Sequence, residues 1–303
     1  MNRAAATPHD QETRRGYLYG IAAYGLWGVL PIYFKAMPGV PAVDMVAHRI
    51  IWSLPLLALL LTLAGRWGDI TAALRARRTM VLLLVTALLI AVNWLLYVYA
   101  VTSGRILAGS LGYYLNPLAN VLLGRIILSE RLGPLHWTAV AIAAAGIVPL
   151  AAQAADQLWI SLTLCFSFAT YGLLRKIATV DAVAGLTIET ALLMPVAVAW
   201  LLLRVSGAPT FGTSTQETIL LVLAGLATMT PLLLFTGAAR RLPYSTLGML
   251  QFLAPTLQFL IAVLLYGEAF TTAHAVAFGA IWTALALYVT AIIREPRVPQ
   301  LPE

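Results

Sequence analysis

The chain has 303 residues, of which 61% are hydrophobic and only 10% are charged, with a formal net charge of +7. That is more apolar surface than one soluble core can hide, so a soluble enzyme or binding domain is excluded and an integral membrane protein is expected. The positive balance calls for no nucleic-acid partner, because basic flanks on the cytoplasmic side of a membrane account for it.

A span needs about 20 mostly apolar residues to cross a hydrocarbon core about 30 Å thick. Charged and Pro/Gly punctuation divides the sequence into ten such pieces, expected at 17–36, 44–64, 79–98, 107–128, 134–151, 157–176, 184–204, 217–239, 245–266 and 272–293. Ahead of the first span lies a polar tail, 1–16, which ends in the arginine pair of "TRRGYLYG" (Thr13 to Gly20). No small-residue cleavage site closes that stretch and nine more spans follow, so the pair reads as an inner anchor rather than an export signal.

Polar and aromatic residues then mark particular spans. The first carries Tyr24 and Trp27; the second carries Asp44, His48, Arg49 and Pro55; the third carries Asn93 and Tyr97, four apart, with Trp94 beside them. Aromatic walls with a few polar tips suit an amphipathic cargo, although interfacial belts and packing use the same residues.

The fourth span is the most polar, "LGYYLNPLANVLLGRIILSE" from Leu111 to Glu130. On a helix Tyr113, Asn116, Pro117, Asn120 and Gly124 recur at three- and four-residue steps and share one stripe. Pro117 has no amide hydrogen and frees the carbonyl of Tyr113. Lipid satisfies none of these groups, so the stripe must face protein or a water-filled cavity. Two readings stay open for Tyr113 and Asn116: lining a substrate path, which is preferred, or bonding to neighbouring helices. For Asn120 packing is preferred.

Tyr171, Arg175, Lys176 and the single cysteine, Cys165, belong to the sixth span, and Glu189 and Pro195 to the seventh. A lone mid-span cysteine allows no internal disulfide and reads as a small filler. The ninth span repeats the stripe of the fourth with Gln251, Ala254, Pro255, Gln258 and Ala262, where Gln251 is placed with the cavity and Gln258 with packing.

The two halves repeat. Pro117 and Pro255 are each followed thirteen residues later by a glutamate, Glu130 and Glu268; "YGL" recurs at Tyr24 and Tyr171; Pro55 corresponds to Pro195. Both glutamates are expected at helix ends. A five-plus-five duplication follows, and because five is odd the second copy enters from the opposite side, as in transporters that expose one site alternately to the two faces. With the N-terminus inside, only Lys35, Arg49, Arg105 and Arg204 of the 19 basic residues face outward, so both termini are expected in the cytoplasm.

Ionisable groups near the membrane are rare and therefore informative. Arg49 and Glu189 each lie six residues before their proline, near the outer and inner faces respectively, so a direct pair between them is not expected. Arg175 and Lys176 are the expected partners of Glu189, and Asp44 that of Arg49, with His48 close by. Glu189, Arg49, His48 and Arg175 are the gating or coupling candidates; Pro117, Pro255, Pro55 and Pro195 are the expected kinks.

Other chemistry is unsupported. His9, His48, His136 and His274 have no metal-ligand spacing, no GxxxxGK loop is present, and no nucleophile setting accompanies the serines. No enzyme activity, cofactor or metal is expected, and energy for movement must come from a gradient or from the cargo's own concentration difference. The longest loops, 65–78 and 205–216, are too short for a soluble domain, so activity must live inside the bundle.

The segments "GIAAYGLWGVLPIYFK", "AHRIIWSLP", "NWLLYVYAV", "SLGYYLNPLANVLLG", "YGLLRK", "IET" and "STLGMLQFLAPTLQFLIAVLLYGE" resemble a RarD-type member of the EamA family in the drug/metabolite transporter superfamily. The resemblance runs from about Gly16 to Ile293 and implies an all-α membrane protein. It implies ten helices in two inverted EamA repeats, 17–151 and 157–293, between cytoplasmic tails 1–16 and 294–303, around a central cavity. The function so implied is a secondary transporter in a bacterial-type inner membrane that exports small amphipathic metabolites, amino acids with hydrophobic or aromatic side chains first. Chloramphenicol-type drug efflux and a non-transporting membrane receptor are the alternatives. The partners are a small-molecule substrate and the lipid bilayer; a monomer is expected, with a dimer left open.

Overall fold

The computed structural model describes residues 8–103, 105–153, 155–203, 211–212, 214–267 and 272–294. Every long element among them is helical: α1 (Pro8–Lys35), α2 (Ala42–Leu63), α3 (Trp67–Arg75), α4 (Arg77–Thr102), α5 (Ile106–Ile126), α6 (Pro134–Gln153), α7 (Leu158–Ile177), α8 (Ala182–Leu203), α9 (Thr215–Ala239), α10 (Tyr244–Gln251), α11 (Leu253–Leu260) and α12 (Thr272–Arg294). Among the described residues nine helical stretches are long and apolar enough to cross a membrane. The polar α5, 21 residues long, is a further helix of that length. The protein is an all-helical, multi-pass membrane protein.

Helix is the expected answer for such segments, because an α-helix satisfies its own backbone groups where no water is available. Glycine in the left-handed region ends two of the helices: Gly65 (φ 64°) follows α2 and Gly267 (φ 65°) follows the Tyr244–Leu265 stretch. Two local elements depart from the sequence expectation. α1 begins at Pro8, so part of the stretch read as a tail is already helical, and the loop at 65–78 contains the short helix α3, whose Ile70 and Ala73 pack on Leu83 and Ile188. Glu268, Arg204 and the terminal stretches 1–7 and 295–303 lie outside the described residues.

The prolines do not act alike. α5 runs unbroken through Pro117, whereas the Tyr244–Leu265 stretch is interrupted at Phe252 between α10 and α11, three residues before Pro255, and ends in a π-helical turn at Ile261–Leu265. Pro55 and Pro195 sit inside continuous helices. A ring that removes one intrahelical bond is thus absorbed in α5 and breaks the helix in its counterpart.

Helices pack across the sequence halves. α1 lies on α9 and α11, α2 on α8 and α9, α4 on α7 and α8, α5 on α7 and α10, and α6 on α12. Small residues set these distances, since dispersion at close approach replaces the hydrophobic effect inside a bilayer. A Cβ on Gly225 would come within 2.4 Å of the Trp52 backbone, so α2 and α9 touch main chain to side-chain-free main chain. On Gly248 it would meet Asn120 Cβ at 2.7 Å and the Pro117 carbonyl at 2.9 Å, which fixes the α5–α10 crossing.

One core gathers Tyr24, Trp27, Phe168, Tyr171 and Phe235; the two tyrosines of the repeated "YGL" triplets meet on the same ring, 6.2 and 6.4 Å from Phe235. A second core joins α5, α6 and α12 through Val121, Ile147, Ile281 and Tyr288. Gly225→Ala should therefore destabilise the protein in detergent by about 1–3 kcal/mol, the usual cost of overpacking. Gly25→Ala, where a Cβ meets nothing within 4 Å, is the control and should leave the melting temperature unchanged or higher. Equal melting behaviour of the two variants would refute the close α2–α9 contact.

Candidate functional site

Between the described helices a narrow cavity reaches ionisable side chains. It lies between α2, α4, α7, α8 and α9 and measures about 10 Å³, the room of roughly one water. Its polar lining is Ser53, Tyr171, Glu189, Thr190 and Thr228, and its walls are Trp94 and aliphatic residues such as Ile50, Leu193 and Met229.

Glu189 stands at one end. Its carboxylate accepts a short hydrogen bond from Thr86 Oγ1 and a longer one, 3.5 Å, from the Tyr171 hydroxyl. Arg175 Nη1 lies 3.6 Å from Glu189 Oε1, with the two side chains 0% and 2% exposed. The guanidinium also donates to the Ala182 carbonyl at 3.1 Å, while Nε and Nη1 make no hydrogen bond. Gly185 makes room for it, because a Cβ there would sit 2.1 Å from Nη1. Arg175 is thus the expected partner of Glu189, on the adjacent helix.

Arg49 is not itself a lining residue but touches two of them, Thr228 and Trp94. Its Nε donates to Thr228 Oγ1 at 2.7 Å, and its guanidinium carbon lies 5.2 Å from the Trp94 ring and 5.8 Å from that of Phe34. Asp44, the partner expected from sequence, instead accepts from the Trp200 indole at 3.0 Å. Spacing along a helix misleads here: Asp44 and Arg49 are five residues apart, which points their side chains to different faces. Among the described residues no carboxylate lies within ion-pairing distance of Arg49. Ser53 ties the same turn of α2 to α9, its single hydroxyl proton shared between the Arg49 and Gly225 carbonyls at 2.6 and 3.1 Å. His48 stacks on Phe211, 5.4 Å between rings, away from the cavity lining.

The amide stripe on α5 does not line this cavity. Asn120 Nδ2 donates to Gln251 Oε1 at 2.9 Å across the α5–α10 crossing, so Gln251, placed with the cavity from its sequence match to Tyr113, is engaged in an interhelical bond. Asn93 donates to the Leu164 carbonyl (2.9 Å) and Ser167 Oγ (3.0 Å) on α7 and accepts from the Tyr113 hydroxyl at 3.4 Å. Tyr97 packs edge-on against Tyr113 and is 37% exposed. Gln258 donates to the Trp27 carbonyl at 3.0 Å. Asn116 is wholly buried and neither its amide nitrogen nor its oxygen has a partner. Of the residues singled out from sequence, Glu189 and Tyr171 reach the cavity; Tyr24 and Trp27 belong to the aromatic core beside it.

Thr86, Ser53, Thr190 and Thr228 were not singled out from sequence, because a hydroxyl in an apolar helix usually bonds back to its own backbone. Thr228 does so, donating to the Ala224 carbonyl while accepting from Arg49, and the single Thr86 proton is shared between the Leu83 carbonyl and Glu189. The one available signal was that Thr86 is the sole polar residue between Met80 and Val92.

A polar network closes the end of the bundle beyond Arg175. Lys176 Nζ donates to the carbonyls of Ala239 (2.8 Å) and Leu242 (2.6 Å), and the Glu130 carboxylate accepts the amides of Tyr244 and Ser245. Lys176 therefore caps the end of α9 and Glu130 the start of α10. Arg241 pairs with Glu12 at 2.7 Å, and Arg66 bridges Asp69 (2.7 Å) and Asp181 (2.9 Å).

Asp181 opens α8 and accepts the Val183 amide at 2.9 Å. Burial pushes its carboxyl up, but the Val183 and Ala184 amides and the Arg66 guanidinium together hold it below its ordinary value. A depressed carboxyl stabilises the fold above its unfolded-state value and stops doing so as pH falls through the folded one. Asp181→Asn should accordingly lower the melting temperature at neutral pH, with the gap to the wild type closing in acid; a gap independent of pH would refute the assignment.

Asn116 offers a second test. An orphaned buried amide costs stability, so Asn116→Leu should leave the protein as stable or more stable. A clear fall in melting temperature would show that the amide is satisfied in the native protein.

A many-helix bundle with a polar-lined cavity between its spans is an architecture suited to a membrane transporter. Residues 14–151 match the model of the EamA-like transporter family. An uncharacterised transporter of Vibrio cholerae is 45% identical over 93% of this chain and 94% of its own length. An uncharacterised transporter of Pseudomonas aeruginosa is 47% identical over 91% and 93%, and protein RarD of Escherichia coli K12 is 41% identical over 95% and 98%. A solved crystal structure, 22% identical, shares the fold with a TM-score of 0.73 over 92% of this chain and 99% of the other. The protein belongs to the EamA-like transporter family, among its RarD-type members, and is a membrane transporter rather than an enzyme.

Proposed function

We propose that the protein is a secondary transporter of a bacterial inner membrane that exports small amphipathic metabolites by alternating access, with hydrophobic and aromatic amino acids as its first cargo. The observation that carries this reading is the cavity: aliphatic and indole walls, a few hydroxyls, and charged side chains near its ends. Apolar walls hold a side chain, and hydroxyls exchange hydrogen bonds with water or cargo at little net cost, which permits release.

Two inverted repeats, 17–151 and 157–293, with both termini cytoplasmic, complete the proposal. Helix pairing supports it, since an exchange of halves maps α1 on α9 onto α7 on α4, and maps α2 on α8 and α6 on α12 onto themselves. The cavity is too small for any cargo, so this conformation is closed, and α2 and α4 must part from α8 and α9 for loading. The network around Lys176 and Glu130 then serves as the inner gate. Glu189 and His48 are the candidates for proton coupling, Glu189 with the stronger claim because it meets the cavity.

A second reading, drug efflux, is favoured by a relative in Pseudomonas aeruginosa, 33% identical, whose name is chloramphenicol-sensitive protein RarD. Purified protein in liposomes decides between them. Counterflow of labelled phenylalanine, tryptophan or leucine is expected, stronger than that of chloramphenicol; movement of chloramphenicol with none of the amino acids would overturn the amino-acid reading.

A further inference from the structure

We propose that Arg49 is the residue that recognises the carboxylate of the cargo. The inference rests on the amino-acid reading above and names the atom group within that cargo which the site selects.

Arg49 is a cation inside a membrane bundle whose neighbours are a threonine hydroxyl and two ring faces. A guanidinium presents five N–H donors in a planar fork that matches a carboxylate, and Nε is the one that Thr228 engages. Arg175 is a different case, because its charge is already offset by Glu189. With Arg49 and Arg175 positive and Glu189 negative, the groups flanking the cavity carry one uncompensated positive charge, which an anionic cargo group would neutralise.

Both Thr228 and Trp94, the contacts of Arg49, line the cavity. A carboxylate on the guanidinium would therefore leave its apolar substituent among Ile50, Leu193 and Met229. Glu189 does not take the amino group of the same molecule. On α4, Trp94 beside Arg49 and Thr86 on Glu189 are eight residues apart, about 12 Å along a helix axis. The ammonium and carboxylate of an α-amino acid are attached to one carbon and cannot span that distance. Magnitude thus separates the two charged ends: Arg49 binds, and the Arg175–Glu189 pair closes the foot of the cavity.

Counterflow competition in liposomes tests this with four probes: phenylalanine, 3-phenylpropanoate, phenethylamine and phenylalaninamide. In the wild-type protein the two carboxylates should compete at least about tenfold better than the amine and the amide, the scale of a hydrogen bond to a charged group. Arg49→Gln should lose most of that preference, Arg49→Lys should keep part of it because the charge remains without the fork, and Thr228→Val should raise the KM for phenylalanine. The wild-type series stands even if a variant fails to fold. Equal competition by all four probes, or an unchanged preference in folded Arg49→Gln, overturns the carboxylate assignment alone. No movement of phenylalanine, leucine or tryptophan overturns the amino-acid reading and this inference with it.

Discussion

A guanidinium that is fully buried in a helix bundle has no water to fall back on, and the Arg175–Glu189 pair is the constraint around which the rest of this interior is arranged. Removing either partner would strand the other charge at a cost of about 3–5 kcal/mol. The pair therefore fixes α7 against α8, and Thr86 draws in α4 through the same carboxylate. Tyr171 joins it to the aromatic core at Phe235, which α1 and α9 share. Gly185 is the backbone concession that lets the guanidinium reach this depth. Because the pair is long, at 3.6 Å, and two guanidinium nitrogens make no hydrogen bond, it is a joint that can be remade when helices move, not a rivet.

The cavity follows from that joint. Above it the walls are aliphatic and aromatic, and the polar atoms are hydroxyls and an indole, whose hydrogen bonds are exchanged cheaply with water or cargo. Below it the charged side chains of Lys176 and Glu130 cap the two helix ends at the α9–α10 turn instead of pairing with each other. Capping by charge from a neighbouring helix satisfies backbone groups only while the helices stay together. The same bonds thus complete the fold at this end, and parting these helices would leave each orphaned amide and carbonyl to find water.

Fold was largely legible in the sequence because bilayer physics leaves a short menu. Runs of about 20 apolar residues can only be helices, and their flanking charges and glycines end them where Gly65 and Gly267 do. The site was legible in part. Rarity of charge found Glu189, Arg175 and Arg49, since a membrane interior penalises such groups unless they are used. Amides are the harder reading. Asn120, read as packing, bonds across the α5–α10 crossing, but Asn93 and Gln251, placed with the cavity, also bond neighbouring helices, because an amide is what best joins two helices and periodicity cannot tell which neighbour a stripe faces. Thr86 and Thr228 were missed in the opposite way: Thr228 donates to its own helix and accepts from Arg49, while the one Thr86 proton lies between its own Leu83 carbonyl and Glu189, which no spacing reveals.

The charges carried by α2 and α8 differ in kind. Arg49 and Glu189 occupy matching places before Pro55 and Pro195, on helices α2 and α8 that pack against each other, yet they carry opposite charge. Like charges at both places would repel or demand two counter-charges in a medium that supplies none. Opposite charges at the two places let each half keep its own local solution: Glu189 accepts from Thr86 and Tyr171 and pairs with Arg175, whereas Arg49 rests on Thr228 and aromatic faces. The interior thereby carries opposite charges at these two places. One end is neutral and internally paired, the other carries a cation with no counter-charge among the described residues, and an anionic group entering between them has a defined direction in which to face.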